Sequence, residues 1–280
     1  MIFACVQTHR IDLQGWVMNI VIKTFVCMVG LVLLRSVGAQ ATLLTPLLAG
    51  RYLNGDGANS QWVQVASGWR GSTYGTAPWG TGIWSLADAR DVLALPTHGS
   101  TAARTDVVQT YSGRVDEINF ADVAFINYWG STWGGQALVP FFSNDATQYQ
   151  DNYAARFTGY ISILEPGLYN FGVLADDGFQ FSLFGDNTSL TLDQNGLNPR
   201  DRYGFDQNLM LGAGLYGFDL LSYERLEAGV VNLAWIQPGG AWETVPQSHL
   251  FTTVPEPATW LLMLAGLAGV GVAHMRRVGA

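Results

Sequence analysis

The sequence predicts an all-β fold, and three observations carry that prediction. The central stretch, residues 156–184 (RFTGYISILEPGLYNFGVLADDGFQFSLF), alternates apolar and polar side chains in three successive runs, the period of strands with one buried face. The chain is 49% hydrophobic but only 13% charged, with 33 glycines and 10 tryptophans, a mix that suits a glycine-rich β protein with a sizeable core. Helical periodicity is confined to residues 84–95 (WSLADARDVLAL), where Leu86, Ala89 and Val92/Leu93 share one face.

Both ends read as addresses. Lys23 precedes an apolar run, residues 24–34, and then the small residues Gly38, Ala39 and Ala41. This is the pattern of a secretory signal peptide over residues 1–41, cleaved after Ala41 or Ala39 by signal peptidase, with Met18 as an alternative start. At the other end Pro255-Glu256-Pro257 is followed by an apolar segment and by Arg276-Arg277. In that order these parts resemble the PEP-CTERM sorting signal, which covers residues 254–280 with a transmembrane helix over 258–275. The resemblance implies a Gram-negative bacterium, an exosortase as processing partner, transient anchoring in the inner membrane and delivery to the cell envelope or extracellular space. The trailing arginines place the body on the outer side.

Between these signals both cysteines and the lone lysine are gone: Cys5, Cys27 and Lys23 all lie before residue 42. Residues 42–254 hold nine arginines against 20 acidic residues, a formal charge of −11. Disulfides and thiol chemistry are excluded from the body. Nucleic acid is an unsuitable partner. An acidic exported body without disulfides points toward stabilisation by divalent cations.

Along the body, residues 42–54 read as an edge strand at the start of the domain, and residues 55–82 as a loop-like segment dense in Gly, Ser, Thr and aromatics. Residues 84–95 are the helix. Residues 114–129 return to strand character. In the central stretch Phe157, Ile161 and Ile163 oppose Thr158, Tyr160 and Ser162. Glu165-Pro166-Gly167 makes a turn, Tyr169, Phe171 and Val173 share the next buried face, and Phe179, Phe181 and Leu183 the third. Three antiparallel strands thus carry Asp176-Asp177-Gly178 between the second and third. Residues 190–207 read as a long polar loop, 215–223 and 230–235 as two strands of a hairpin joined by 224–229, and 245–251 as the closing apolar piece.

The order Gly-Tyr-Ile (159–161), Pro-Gly-Leu-Tyr-Asn-Phe (166–171), Asp176-Asp177-Gly178, Leu-Gly-Ala-Gly-Leu-Tyr (211–216), Tyr223-Glu224 and Leu233-Ala234-Trp235 resembles the PA14 domain from about residue 110 to 251. The resemblance implies a β-sandwich over residues 42–252. It also implies a calcium ion held by an Asp-Asp pair joined through a cis peptide, here Asp176 and Asp177, and carbohydrate binding through that ion. Further ligands in such lectins come from a later loop, where Asn195, Asn198 and Asp201 are the candidates. Calcium takes six to eight hard oxygens, which two adjacent carboxylates help to supply when both point one way. Asp-Gly is also the commonest dipeptide of a plain hairpin turn, so both readings stand at this point.

Trp69, Trp79, Trp129 and Trp133 lie among glycines and hydroxyl residues, where exposed rings would stack on sugars and buried ones would plug the core. Enzyme motifs such as Gly-x-Ser-x-Gly and His-Glu-x-x-His do not occur. The expectation is therefore a non-catalytic, exported protein binding an exopolysaccharide with the help of calcium. The alternatives are a purely structural envelope or biofilm-matrix protein and, more remotely, a polysaccharide-acting enzyme with an unassigned carboxylate pair.

Overall fold

The alternating runs of the central stretch become strands of two facing sheets rather than of one. A computed structural model describes residues 41–76, 80–95, 106–141, 151–197 and 208–255; the expected signal peptide (but for Ala41) and the expected sorting helix lie outside these. In chain order the first elements are β1 (Thr42–Leu44), β2 (Leu48–Ala49), β3 (Ala58–Val65), α1 (Leu86–Leu93), β4 (Val107–Val115), β5 (Asn119–Ala121) and α2 (Val123–Trp129). There follow β6 (Thr132–Trp133), β7 (Gln136–Ala137), β8 (Val139–Pro140), β9 (Tyr153–Ile163), β10 (Gly167–Asp176), β11 (Gly178–Phe184) and β12 (Ser189–Gln194). The last are β13 (Leu209–Leu211), β14 (Gly214–Glu224), β15 (Val230–Ile236), β16 (Trp242–Thr244) and β17 (Leu250–Phe251).

One sheet has the order β1-β13-β10-β15-β5-β8 with β16 on β15; the other runs β12-β11-β14-β9-β3-β4 with β17 on β9 and β2 on β14. Between them lies an aromatic core. Phe120 of β5 stacks on Phe157 of β9 at 5.9 Å, Phe171 of β10 meets Phe181 of β11 at 5.6 Å, and Trp62 of β3 stacks on Tyr153 at 3.8 Å. Each buried ring of this size contributes about 2–3 kcal/mol from the area it takes out of water. The fold is a β-sandwich.

Four expectations change. First, β9 pairs with β14 and β3, β10 with β13 and β15, and β11 with β12 and β14. The turns at Glu165-Pro166 and at Asp176-Asp177 are therefore crossings between sheets and not hairpins. The same holds for residues 224–229, because β14 and β15 lie in opposite sheets. Second, residues 123–129 are helical. Asp122 accepts a hydrogen bond from the Phe125 N–H at 2.8 Å as N-cap, and Gly130, at φ 97°, ends the turn, local chemistry that overrides the strand-like apolar run. Third, residues 190–194 of the expected polar loop belong to β12, whose exposed positions simply face solvent on an edge strand. Fourth, the glycine-rich segment contributes β3, an interior strand.

Helix α1 forms where its periodicity predicts, with Ser85 Oγ accepting the Asp88 N–H at 3.2 Å. It lies on the outer face of the eight-stranded sheet, where Leu86, Ala89 and Val92 join a second apolar cluster with Val63, Ala154, Leu221 and Tyr223. Gln61 Nε2 donates to the Leu93 carbonyl at 2.9 Å and pins the helix's C-terminal end to β3.

The end of the sandwich is tied back by Asp56, which accepts from the Thr252 N–H at 2.8 Å and from the Thr252 hydroxyl at 2.6 Å. Burial pushes the Asp56 carboxyl up, but these two bonds, together with its own N–H and the charge of Arg114, outweigh it and hold its pKa below 3.8. A depressed carboxyl contributes stability that is present above the unfolded pKa and lost as pH falls through the folded one. Asp56→Ala should therefore lower stability by about 1 kcal/mol at neutral pH, as denaturant titration reads it. The difference from the parent should shrink as pH falls below 3.8 and the folded carboxyl takes up its proton.

Candidate metal centre

The acidic corner sits where the chain changes sheets. Asp176 is the last residue of β10 and pairs with Val230 of β15; Gly178 opens β11 opposite Tyr223 of β14. Asp177 is the single residue between them, and the peptide bond joining the two aspartates is cis, as the PA14 resemblance implies. Its N–H donates to the Tyr223 carbonyl at 2.8 Å, and its Oδ2 accepts from the Arg225 N–H at 3.0 Å. Gly178 is required by close approach, since a Cβ there would stand 2.4 Å from the Tyr223 ring.

A third carboxylate completes the corner. On β14, Tyr216, Phe218 and Leu220 point between the sheets, and the two-residue period carries the same face to Ser222 and Glu224. One carboxylate oxygen from each of Asp176, Asp177 and Glu224 lies within 4.8 Å of the others. All three are buried, Glu224 completely and the aspartates at 6% and 9% exposure. No well-formed hydrogen bond reaches either carboxylate oxygen of Glu224 among the described residues, and the Leu226 N–H acts on it more weakly than any of the neighbouring charges. Burial pushes the Glu224 carboxyl well above its ordinary value, and the negative charges of Asp177, Asp176 and Asp122 push it further. The same field, after burial itself, raises the Tyr153 phenol, whose hydroxyl is also buried without a partner.

Three converging carboxylates, with Glu224 the one that lacks a hydrogen bond among the described residues, are costly as they stand, because each loses solvation and repels the others. The Arg225 guanidinium is held elsewhere, 3.7 Å over the Trp84 ring with a contact of 3.5 Å to the Thr81 carbonyl. A hard cation matches the donor set: all oxygen, anionic and convergent.

Of the other expected ligands, one lies among the described residues. Asn195 Oδ1 accepts the Leu86 N–H at 2.9 Å and so serves the start of α1; Asn198 and Asp201 lie outside the described residues. Glu224 escaped the sequence reading as a ligand. Its one visible signal is that it is the acid that falls on the inward-facing alternation of β14, in step with Tyr216, Phe218 and Leu220. Of the tryptophans, Trp69 is 3% exposed within the cluster beneath α1 and offers no ring face to a sugar. Trp133 packs partly buried against α2's cluster. Trp129 keeps 37% of its surface exposed beside Tyr128. Trp79 lies outside the described residues.

Residues 253–277 match the family model described as the PEP-CTERM protein-sorting motif. The chain carries a PEP-CTERM sorting signal. It is thereby marked for export and for sorting from a membrane-anchored intermediate. No curated protein matches the chain. Among solved structures it is similar to the PA14 domain of the MpAFP antifreeze protein, at 17% identity and a TM-score of 0.42, covering 75% of this chain and 96% of that one. It is likewise similar to a PA14 sugar-binding domain from an RTX adhesin, at 20% identity and a TM-score of 0.41, covering 71% and 99%. A third is the epithelial adhesin 9 A domain of Candida glabrata in complex with Galβ1-3GlcNAc, at 13% identity and a TM-score of 0.42, covering 74% and 96%.

The raised Glu224 carboxyl fixes the sign of a pH effect in chelator. A group whose folded pKa exceeds the unfolded one binds more protons when folded, so stability declines as pH rises above the ordinary 4.5. Denaturant titrations in EDTA between pH 5 and 8 should show that decline, at up to about 1.4 kcal/mol per pH unit. Glu224→Gln should flatten it and give the more stable protein at pH 8.

Proposed function

We propose that this PEP-CTERM protein is an exported, non-catalytic envelope or matrix protein that binds exopolysaccharide with the help of a calcium ion held by Asp176, Asp177 and Glu224. The reading is carried by the two buried oxygens of Glu224, without a well-formed hydrogen bond among the described residues, facing two aspartates. A calcium ion would supply the missing positive charge, and carbonyls or ligand hydroxyls would complete six to eight oxygens. Paired hydroxyls of a sugar are suited to that role, reaching the ion past Asp177, the most exposed of the three. Asn198 and Asp201 remain candidates for further ligands and Trp129 for stacking. Exosortase and signal peptidase act on the chain during export, and the C-terminal helix is its membrane anchor before sorting in a Gram-negative envelope.

The complete burial of Glu224 favours one other reading, an ion that only staples the corner of a structural matrix protein. Catalysis by the cluster is a poor fit. Two carboxylates bracketing a glycosidic bond must both reach it from opposite sides of a cleft, whereas none of these three is more than 9% exposed.

Calorimetry on purified protein tests the ion. Calcium at a hundred times its dissociation constant should add about 2.7 kcal/mol, which raises Tm by roughly 5–10 °C for a domain of this size. EDTA should reverse the shift, and Asp177→Asn should abolish most of it. An unchanged Tm in both proteins rules the ion out. Glycan-array binding that needs calcium supports the lectin reading; a calcium-dependent Tm with a blank array leaves the staple.

A further inference from the structure

A second polar site lies on the outer face of the eight-stranded sheet. Helix α1 stands beside β11, β14, β9 and β3 there and leaves a cleft of about 390 Å³, within the range of roughly 300–1,000 Å³ usual for small-molecule sites. Its floor follows from register. Gln180 pairs with Leu221, Leu221 with Arg156, and Arg156 with Gln61, while Ser182 pairs with Asp219 in the next row. Arg90 reaches in from the helix.

The two guanidiniums are in different electrostatic states. Arg156 makes a fork with Asp219, Nε to Oδ1 at 2.9 Å and Nη2 to Oδ2 at 2.6 Å, so its charge is matched. Arg90 donates through Nη2 to the Gln180 side-chain oxygen at 2.8 Å and through Nη1 to the Leu86 carbonyl at 3.2 Å. Both acceptors are neutral. They fix the plane of the guanidinium without cancelling its charge, so the described lining of the cleft, Arg90, Arg156 and Asp219, carries one net positive charge, with Asp193 one strand away beside Gln180.

We infer that this cleft binds the carboxylate of an acidic sugar, a uronate residue, independently of calcium. A planar carboxylate matches the arginine fork bidentately, and one net charge suits a monoanion, whereas a dianion would meet Asp219. The ring hydroxyls have Gln61, Gln180, Ser182 and Asp219 as donors and acceptors around them. None of these residues belongs to the acidic corner, so the site stands or falls apart from the metal.

The test is titration calorimetry on the detergent-solubilised full chain in EDTA, with an oligogalacturonide as probe. The acid should bind, more weakly as salt rises, and its methyl ester should bind at least tenfold less tightly. Arg90→Gln should lose at least tenfold for the acid, and Arg90→Lys, which keeps the charge but not the fork, less. Arg90 is exposed, so both variants should melt with the parent. Gln180→Leu, which removes the acceptor that aims the guanidinium, should weaken binding as well. No binding in EDTA, equal binding of acid and ester, or indifference to Arg90→Gln overturns the inference. Acetate binding as tightly as the saccharide overturns its assignment to a sugar. Failure of the calcium reading would leave every arm of this experiment unchanged.

Discussion

Closure of two sheets over one aromatic core is the constraint on which the rest of the molecule depends. Phe171 and Phe181 meet across the interior from strands that are consecutive in the chain but members of opposite sheets. The backbone therefore has to cross the full thickness of the sandwich, about 10 Å, between the end of β10 and the start of β11. Asp176, Asp177 and Gly178 are the only residues available for that crossing. Their chemistry is concentrated because the passage is short, and it is buried because the core on both sides is continuous.

Burial turns a cluster of ordinary acids into an electrostatic problem. Asp177 is partly served by the Arg225 N–H; Glu224, deeper on the same wall, has no such donor among the described residues. In water three carboxylates at this spacing would repel by a kcal/mol or so each, and in a poorly screened interior by several times that. The body has no lysine to answer them, and the nearest arginine in sequence is spent on the Trp84 face. Protonation of Glu224 or a bound cation are the two ways to relieve the charge. They compete for the same oxygens, so a cation, if one binds at this corner, is held more tightly as pH rises.

The sequence made legible what depends on local pattern. The strand character of residues 157–163, 169–173 and 179–183 and the helix after Ser85 follow from spacing of two or 3.6 residues, and the acidic pair stands plainly between the second and third strands. Sheet membership was not legible, because alternation marks a buried face and says nothing about which neighbour covers it; that is why hairpins were expected at residues 165–167, 176–178 and 224–229. The seven apolar residues of α2 carry no period that separates strand from helix, and the outcome was set by Asp122 and Gly130 at its ends. Glu224 was hidden for a related reason. It becomes a ligand candidate only through its register with Tyr153 and its nearness to a crossing some 47 residues earlier in the chain.

Strand β14 shows how one run of sequence serves two opposed chemistries. Asp219 and Glu224 are five residues apart, an odd number, so pleating sends them to opposite faces. Asp219 turns outward, where Arg156 neutralises it under solvent, and Glu224 turns inward, where nothing but an ion or a proton can. Helix α1 stands over both regions: near the corner Tyr223 holds the Trp84 carbonyl just before the helix and Asn195 its first residue, Leu86, while its later turn carries Arg90 over the cleft. A charge at either place is thus fixed by the same scaffold, yet the sheet between them screens one from the other and allows the two to be titrated separately. A one-residue slip of β14 would exchange these roles, placing Asp219 in the aromatic core and Glu224 in solvent. The full apolar set Tyr216, Phe218 and Leu220 would be exposed in the same step, and that penalty is what holds both sites in register.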